Sequence, residues 1–132
     1  MTSPRGLAAY QEMDVLAMSP ARRIVFIYGF VLANLRQALR AINSRDLEAK
    51  SRHLCRALEG VQELLASLDR NAGGDLAGRL AGLYAFFSTE IVAVDRVLDT
   101  ARLERLIGLI ASLHEAWEQA ARLGEQPVAV SG

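Results

Sequence analysis

The glycine pair in the stretch LDRNAGGDLAGRL is the first candidate for chemistry, because glycine-rich loops can bind phosphate. Such a loop needs a preceding strand, a following helix and a spacing such as GxGxxG or GxxxxGK[ST], so that backbone N–H groups converge on the anion. Here a helical pattern precedes Gly73 and Gly74, and no Lys follows them. The pair is therefore predicted to stop one helix and to form the turn before the next.

His53 raises the question of phosphotransfer, since a solvent-exposed histidine on a helical bundle can accept a phosphoryl group in relay proteins. In those domains a Lys-Gly pair follows the histidine and lets the next helix approach. The sequence HLCRALEG has Arg56-Ala57 instead. We favour an ordinary surface histidine at this position. A signalling bundle with phosphotransfer through His53 is the less favoured hypothesis.

No other side chain has a setting for catalysis or metal binding. Di-iron sites in bundles use Glu-x-x-His pairs, and no Glu stands three residues before His53 or His114. Cys55 follows His53 by two residues and therefore lies on a different helix face, with no motif for nucleophilic catalysis. His114 falls on the apolar side of its helix, and a boundary histidine with one hydrogen-bond partner is expected there. We predict no enzymatic activity, no cofactor and no metal.

Charge and cysteine content restrict the partners and the compartment. The 15 basic and 15 acidic residues give zero formal net charge, which disfavours nucleic-acid binding. The single Cys55 cannot form an internal disulfide, as is typical of the cytoplasm. The apolar run IVFIYGFVLA is too short to span a bilayer, which takes roughly 20 residues, and acidic residues precede it, unlike a signal peptide. We predict a cytoplasmic protein without stable membrane insertion.

Four amphipathic helices account for the hydrophobic periodicity. Ser19-Pro20 begins the first helix, and its apolar stripe continues to Asn43-Ser44. The second is predicted from about Asp46 to Leu68. The third follows Gly74 with Asp75 as its N-cap, and the fourth begins at Asp99 or Thr100 and ends at Gly124.

Helices of this length joined by short turns return antiparallel, so the predicted fold is an all-α, up-and-down four-helix bundle. The chain of 132 residues is predicted to be a single domain. Residues 1–18 form a short N-terminal helix or strap, residues 19–123 form the bundle, and residues 124–132 form a loose tail.

Two helices have more apolar residues than one core-facing stripe can use. The first long helix carries aromatics beside its stripe at Phe26, Tyr28 and Phe30, and the third carries Tyr84 and Phe86. A bundle helix needs an apolar arc of only about 100°. The surplus indicates a groove for another helix, a homodimer interface or a docked N-terminal segment, and composition does not choose among them.

Several motifs resemble the FliS family of flagellin export chaperones, over about residues 10 to 121. They include an early Tyr10, the SP that opens the first long helix, and the IY at Ile27-Tyr28. The stretch GGDLAGRLAGLYAFF is similar to the family's GGEIAxNLxxLYxY, and LIASLHEAWEQA is similar to LLxxLRxAWxxI. The family's LYDG reads IYGF here, with Gly29 and Phe30 as the changed residues, and Asp95 stands where the family has an asparagine.

The resemblance implies a cytoplasmic chaperone that binds the C-terminal segment of flagellin, prevents premature polymerisation and delivers flagellin to the flagellar type III export gate. The alternative is a helical adaptor or dimerisation module with a different client, and the choice between monomer and homodimer stays open. A further hypothesis makes the N-terminal segment a displaceable cap of the groove. The candidate groove residues are Tyr10, Ile27, Tyr28, Val31, Leu80, Tyr84 and Phe87.

Overall fold

The structure, a computed structural model, describes residues 18–124 except for the side chains of residues 70–73. It contains four helices in this part of the chain: α1, Pro20–Asn43; α2, Leu47–Ala66; α3, Arg70–Val97; and α4, Thr100–Gly124. Connections of two or three residues join them. The predicted all-α class and the four helices are confirmed, while the predicted strap before α1 and the tail after α4 lie outside the described residues.

Polar side chains begin three of the helices at the positions expected from the sequence. The Ser19 hydroxyl accepts a hydrogen bond from Arg22 N at 3.3 Å, directly before Pro20 in the first turn. The Asp46 carboxylate accepts from Ala49 N at 3.1 Å, and Asp99 accepts from Arg102 N at 3.0 Å. These bonds satisfy backbone N–H groups that have no partner within the first turn of a helix.

Of the two adjacent glycines, Gly74 is the one that interrupts the helix. Gly74 has φ 55° and ψ −133°, a backbone conformation that only glycine adopts readily. The backbone of residues 70–73 is helical. The predicted turn over residues 71–74 is therefore shorter than expected and is limited to Gly74. Helical geometry resumes after Gly74, and the main part of α3 therefore begins near Asp75.

The helices pack as the four sides of an antiparallel bundle. α1 contacts α2 and α4, and α3 contacts the same two helices, so α1 and α3 lie diagonally opposite each other. The α1–α2 contact is the most extensive, and the α3–α4 contact is the least extensive of the four. This arrangement leaves α3 less enclosed by its neighbours than α1.

α1 and α3 are equally apolar by mean hydropathy, and both are long and apolar enough to cross a membrane by length and composition alone. Core helices of soluble bundles meet the same test, and the extent of burial separates these two. In α1, half of the most apolar stretch is buried inside the bundle, whereas in α3 the buried share is 28%. An apolar helix with so little burial has a surface that the bundle does not use.

Candidate functional site

The predicted groove residues are mostly in the core of the bundle. Five of them, Ile27, Tyr28, Val31, Tyr84 and Phe87, are buried. Leu80 is partly buried and packs against the same hydrophobic cluster, and Tyr10 lies outside the described residues. The side chains that the sequence pattern selected on α1 and α3 therefore mostly face inward in this conformation.

Two of these residues form a polar contact in the centre of the bundle. The Tyr28 hydroxyl donates to the Tyr84 hydroxyl at 3.0 Å, and the two rings meet edge to face with centroids 6.2 Å apart. The centroid of the Trp117 ring lies 6.1 Å from that of the Tyr28 ring. Burial raises the pKa of both tyrosines, so both hydroxyls are neutral donors and acceptors at physiological pH.

The unpartnered apolar surface lies on the outer side of α3. We define the outer face of α3 by six exposed residues between Gly78 and Val92 that fall within one third of the helix circumference: Gly78, Gly82, Ala85, Phe86, Thr89 and Val92. None of the six is charged, and the Thr89 hydroxyl donates to the backbone O of Ala85 at 3.1 Å. Two exposed charged residues, Asp75 and Arg96, lie in the same third of the circumference beyond the two ends of this face. Phe86 and Val92 are each 47% exposed. The face is therefore an uncharged, apolar strip with small residues between its larger side chains.

A bidentate ion pair joins α3 to α4 near the turn between them. The Arg102 guanidinium donates to both carboxylate oxygens of Glu90, at 2.9 and 2.6 Å. This hydrogen bond is the main cause that holds the pKa of Glu90 below its ordinary value, and it raises the pKa of Arg102. Paired, planar hydrogen bonds fix the relative position of the two helices at this end.

A second ion pair joins the same end of α3 to α2. The Lys50 ammonium donates to the Asp95 carboxylate at 2.6 Å and to the Asp95 backbone O at 3.1 Å. The Ser51 hydroxyl donates to the same carboxylate at 3.2 Å. The Lys50 side chain is almost fully buried, so this partner offsets the hydration that its ammonium loses. Asp95, a departure from the family pattern, thus has a structural role in this chain.

Apolar residues continue from the Glu90–Arg102 pair toward the opposite end of the bundle. Leu83 precedes Glu90 by seven residues and Leu109 follows Arg102 by seven, which is about two turns in antiparallel helices. Another seven residues lead to Leu76, which is 60% exposed, and two such steps from Leu109 lead to Leu123, which is 65% exposed. The α3–α4 boundary is therefore polar and fixed at one end and apolar and open at the other.

The α2–α3 boundary has the same organisation. Steps of seven residues from Ser51 lead to Leu58 and Leu65, and the same steps back from Asp95 lead to Ser88 and Ala81. Leu65 is exposed and Leu58 packs at the edge of the core. By this spacing, the small residues Ser88 and Ala81 of α3 lie opposite leucines of α2.

The other two departures from the family pattern are in contact with neighbouring helices. A Cβ at Gly29 would lie 3.4 Å from Nε2 of His114, so this glycine brings α1 close to the α4 histidine. Phe30 lies over Gly60, where a Cβ would be 3.2 Å from its ring and 2.5 Å from a Val31 methyl. Both changes are thus accommodated by helix packing and do not create an exposed site.

The histidines and the cysteine form no site in the part of the chain that the structure describes. His53 is half-buried, and its Nδ1 lies 2.9 Å from Asn34 Oδ1, so Nδ1 is the donor. Burial, followed by the charges of Arg52 and Arg56, lowers the pKa of His53. His114 Nε2 is 3.6 Å from the Glu118 carboxylate. Among residues 18–124, no cluster of His, Cys, Asp and Glu could hold a metal ion.

The sequence analysis did not select four exposed apolar residues beside α3 as site residues, namely Leu76, Val92, Leu109 and Leu123. Leu76 belongs to the predicted apolar stripe of its helix, and the signal that could have identified Leu76, Leu109 and Leu123 as lining a boundary is their spacing, in multiples of seven residues, from Glu90 and Arg102. That signal depends on knowing which charges pair between helices. The sequence does not provide this information, because the pairs join separate elements.

Comparisons with known proteins agree with this architecture. The family model for the flagellar protein FliS matches residues 3–124. The chain is 30% identical to the flagellar secretion chaperone FliS of Bacillus subtilis, over 85% of this chain and 83% of the relative. It is 27% identical to the FliS of Salmonella typhimurium, over 90% and 92% of the two chains. The chain therefore belongs to the FliS family of flagellar secretion chaperones, which are binding proteins and not enzymes.

Proposed function

We propose that this protein binds the C-terminal segment of flagellin in the bacterial cytoplasm, prevents its premature polymerisation and delivers it to the flagellar type III export apparatus. The family membership supports a flagellar client. The observation that carries the structural part is the exposure of α3, which is as apolar as α1 but has 28% of its most apolar stretch buried against half in α1. We propose the outer face of α3 and the α2–α3 and α3–α4 boundaries beside it as the docking surface.

The chemistry of the surface indicates what kind of segment it accepts. The outer face of α3 has no charge between Arg79 and Arg96. A charged client side chain placed there would lose its hydration without gaining a partner. An amphipathic segment that is disordered in isolation can instead bury apolar residues over Phe86 and Val92 and become helical as it binds. Flagellin segments that are covered in this way are not available to join a filament.

The size of the surface favours an elongated client over a second copy of the chain. The outer face of α3, from Gly78 to Val92, covers 15 residues and is about 22 Å long and roughly 10 Å wide. That is on the order of 220 Å², about a quarter of the roughly 800 Å² that each partner of a stable complex buries. An elongated segment can continue from this face onto the α2–α3 and α3–α4 boundaries, whereas a second rigid bundle meets mainly the helix face.

The test is isothermal titration calorimetry with the last ~50 residues of flagellin from the same genome, with light scattering to give the stoichiometry. One-to-one binding with a large negative heat-capacity change is expected for coupled folding on an apolar surface. The double variant Phe86→Glu/Val92→Glu should weaken binding at least tenfold. Ala33→Glu, on the exposed side of the diagonally opposite α1, is the matched control and should bind normally.

The possible failures have different meanings. Normal binding by Phe86→Glu/Val92→Glu would show that flagellin uses another surface of the bundle. Absence of binding by the unmodified, folded protein would refute flagellin as the client. In that case the helical adaptor with a different client becomes the leading function, and the same two variants test it.

A further inference from the structure

Three glycines occur at intervals of four residues in the first half of α3, and packing does not require two of them. Gly74 ends a helical turn with its positive φ, whereas Gly78 and Gly82 have ordinary helical backbone. A Cβ at Gly78 or Gly82 would have no atom within 4 Å. Each such glycine lowers the equilibrium constant for helix formation about fivefold relative to alanine. The cost is therefore not offset by any close contact in this conformation.

The second half of α3 differs, because both of its neighbours hold it through ion pairs. Glu90 binds Arg102 of α4, and Asp95 binds Lys50 of α2. In the first half, residues 75–83, Ala77 is the one residue that is fully buried, and Leu80 and Leu83 pack only partly against the core. No described side chain of this half forms a hydrogen bond or an ion pair with another helix. The two halves of one helix thus have different attachments to the bundle.

We infer that residues 75–83 of α3 open from the bundle as a local unit, while residues 84–97 stay attached through the two ion pairs. Segments with few buried contacts and exposed backbone hydrogen bonds open at lower free-energy cost than the core around them. The break at Gly74 separates this unit from the preceding turn. Gly78 and Gly82 then have a function, since they keep the population of the open form high enough to matter.

Opening of this unit would uncover apolar surface that is covered in the closed form. Leu80 and Leu83 would leave the core cluster, and the residues beneath them would become accessible to a client. This part of the inference rests on the proposed function: the flagellin segment would bind the open form and take the place of residues 75–83 against the core. The predicted groove residue Leu80 would then cover the docking site in the closed form and leave it when the segment opens.

Hydrogen exchange of the full chain without any client tests the opening itself. Amides of residues 75–83 should exchange faster than those of residues 88–97, through an opening smaller than global unfolding. Gly78→Ala/Gly82→Ala should slow exchange in residues 75–83 by about 25-fold, from two factors of about five, and leave residues 88–97 unchanged. Gly108→Ala in α4 is the matched control, because a Cβ at Gly108 also has no atom within 4 Å. It should stabilise the protein without slowing exchange in residues 75–83 selectively.

Stopped-flow binding of the flagellin segment tests the functional part. If binding requires the open form, Gly78→Ala/Gly82→Ala should lower the association rate by about the same factor as it slows exchange. Gly108→Ala should change neither the association rate nor the dissociation rate.

Equal exchange in the two halves of α3 would overturn the inference. So would an unchanged association rate with faster dissociation, which would mean that the glycines allow close approach of the client. Failure of the unmodified protein to bind flagellin would refute the proposed function, and the exchange measurement would still decide on the opening.

Discussion

The Tyr28 and Tyr84 hydroxyls meet 3.0 Å apart across the diagonal of the bundle, so that α1 and α3, which share no side, are joined through the core. Tyr28 donates in this bond and also has Trp117 beside it, whereas Tyr28 is the one side chain that hydrogen-bonds the Tyr84 hydroxyl among the described residues. The two hydroxyls are therefore not equivalent. Loss of either one leaves the other in a different environment.

Removal of the Tyr28 hydroxyl is predicted to cost more stability than removal of the Tyr84 hydroxyl. Tyr28→Phe leaves a buried Tyr84 hydroxyl without its partner and should lower the free energy of unfolding by about 1–3 kcal/mol. Tyr84→Phe should cost less, because Tyr28 keeps its contact with Trp117. The double variant should cost less than the sum of the single variants. Urea unfolding of all four proteins measures this, and additive costs would contradict the hydrogen bond.

The Glu90–Arg102 pair should make stability depend on pH in the acid range. The pKa of Glu90 is lower in the folded protein than its ordinary value of 4.5, so its stabilising contribution is present above that value. The contribution is lost as the pH falls below 4.5 toward the folded-state pKa. Glu90→Gln should therefore be less stable than the unmodified protein at pH 7, and the difference should shrink as the pH falls below 4.5. A difference that does not shrink over this acid range would mean that packing, and not charge, accounts for the effect.

The sequence was sufficient to predict the four helices and their starts, but not to predict which apolar residues are exposed on the surface. Ser19, Asp46 and Asp99 mark helix starts because their hydrogen bonds are local, within three residues along the chain. Phe86 and Phe87 show the limit: both are aromatic neighbours, yet one is 47% exposed and the other 1%. Periodicity identifies apolar arcs, and where two arcs overlap, the packing of the other three helices decides which faces the core.

The Lys50–Asp95 pair is predicted to be more important to stability than its partly exposed carboxylate suggests. Asp95→Ala leaves the buried Lys50 ammonium with only a backbone carbonyl and should cost about 1–3 kcal/mol. Asp95→Asn should cost less, because an amide oxygen can still accept from Lys50. Lys50→Met should recover part of the loss in the Asp95→Ala background, since no charge is then buried. Thermal and urea unfolding would show this, and equal costs for Asp95→Ala in both backgrounds would exclude the pair as the cause.

The hypothesis that the N-terminal segment caps the groove predicts a gain of binding on truncation. Deletion of residues 1–17 should tighten binding of the flagellin C-terminal segment, because the client no longer competes with the cap. A cap that covers the surface nine-tenths of the time lowers the apparent affinity about tenfold. Calorimetry on the full and shortened chains measures the change, with circular dichroism as the control for folding. A large loss of binding by a folded, shortened protein would instead make the segment part of the docking surface.

The close approach of α1 and α2 at Gly60 gives the last prediction. A Cβ at this position would lie 2.5 Å from a Val31 methyl, and both residues are in the best-packed side of the bundle. Gly60→Ala should therefore destabilise the protein by about 1–2 kcal/mol, because the clash outweighs the higher helix propensity of alanine. Gly108→Ala, with open space around it, should stabilise the protein by up to about 1 kcal/mol.

If the Val31 methyl is the obstacle, Gly60→Ala should cost less in a Val31→Ala background, since the added methyl then occupies the space left by the valine. Thermal unfolding of the unmodified protein, the two single variants and the double variant measures these costs. A stabilising Gly60→Ala would show that α1 and α2 can move apart without loss of stability.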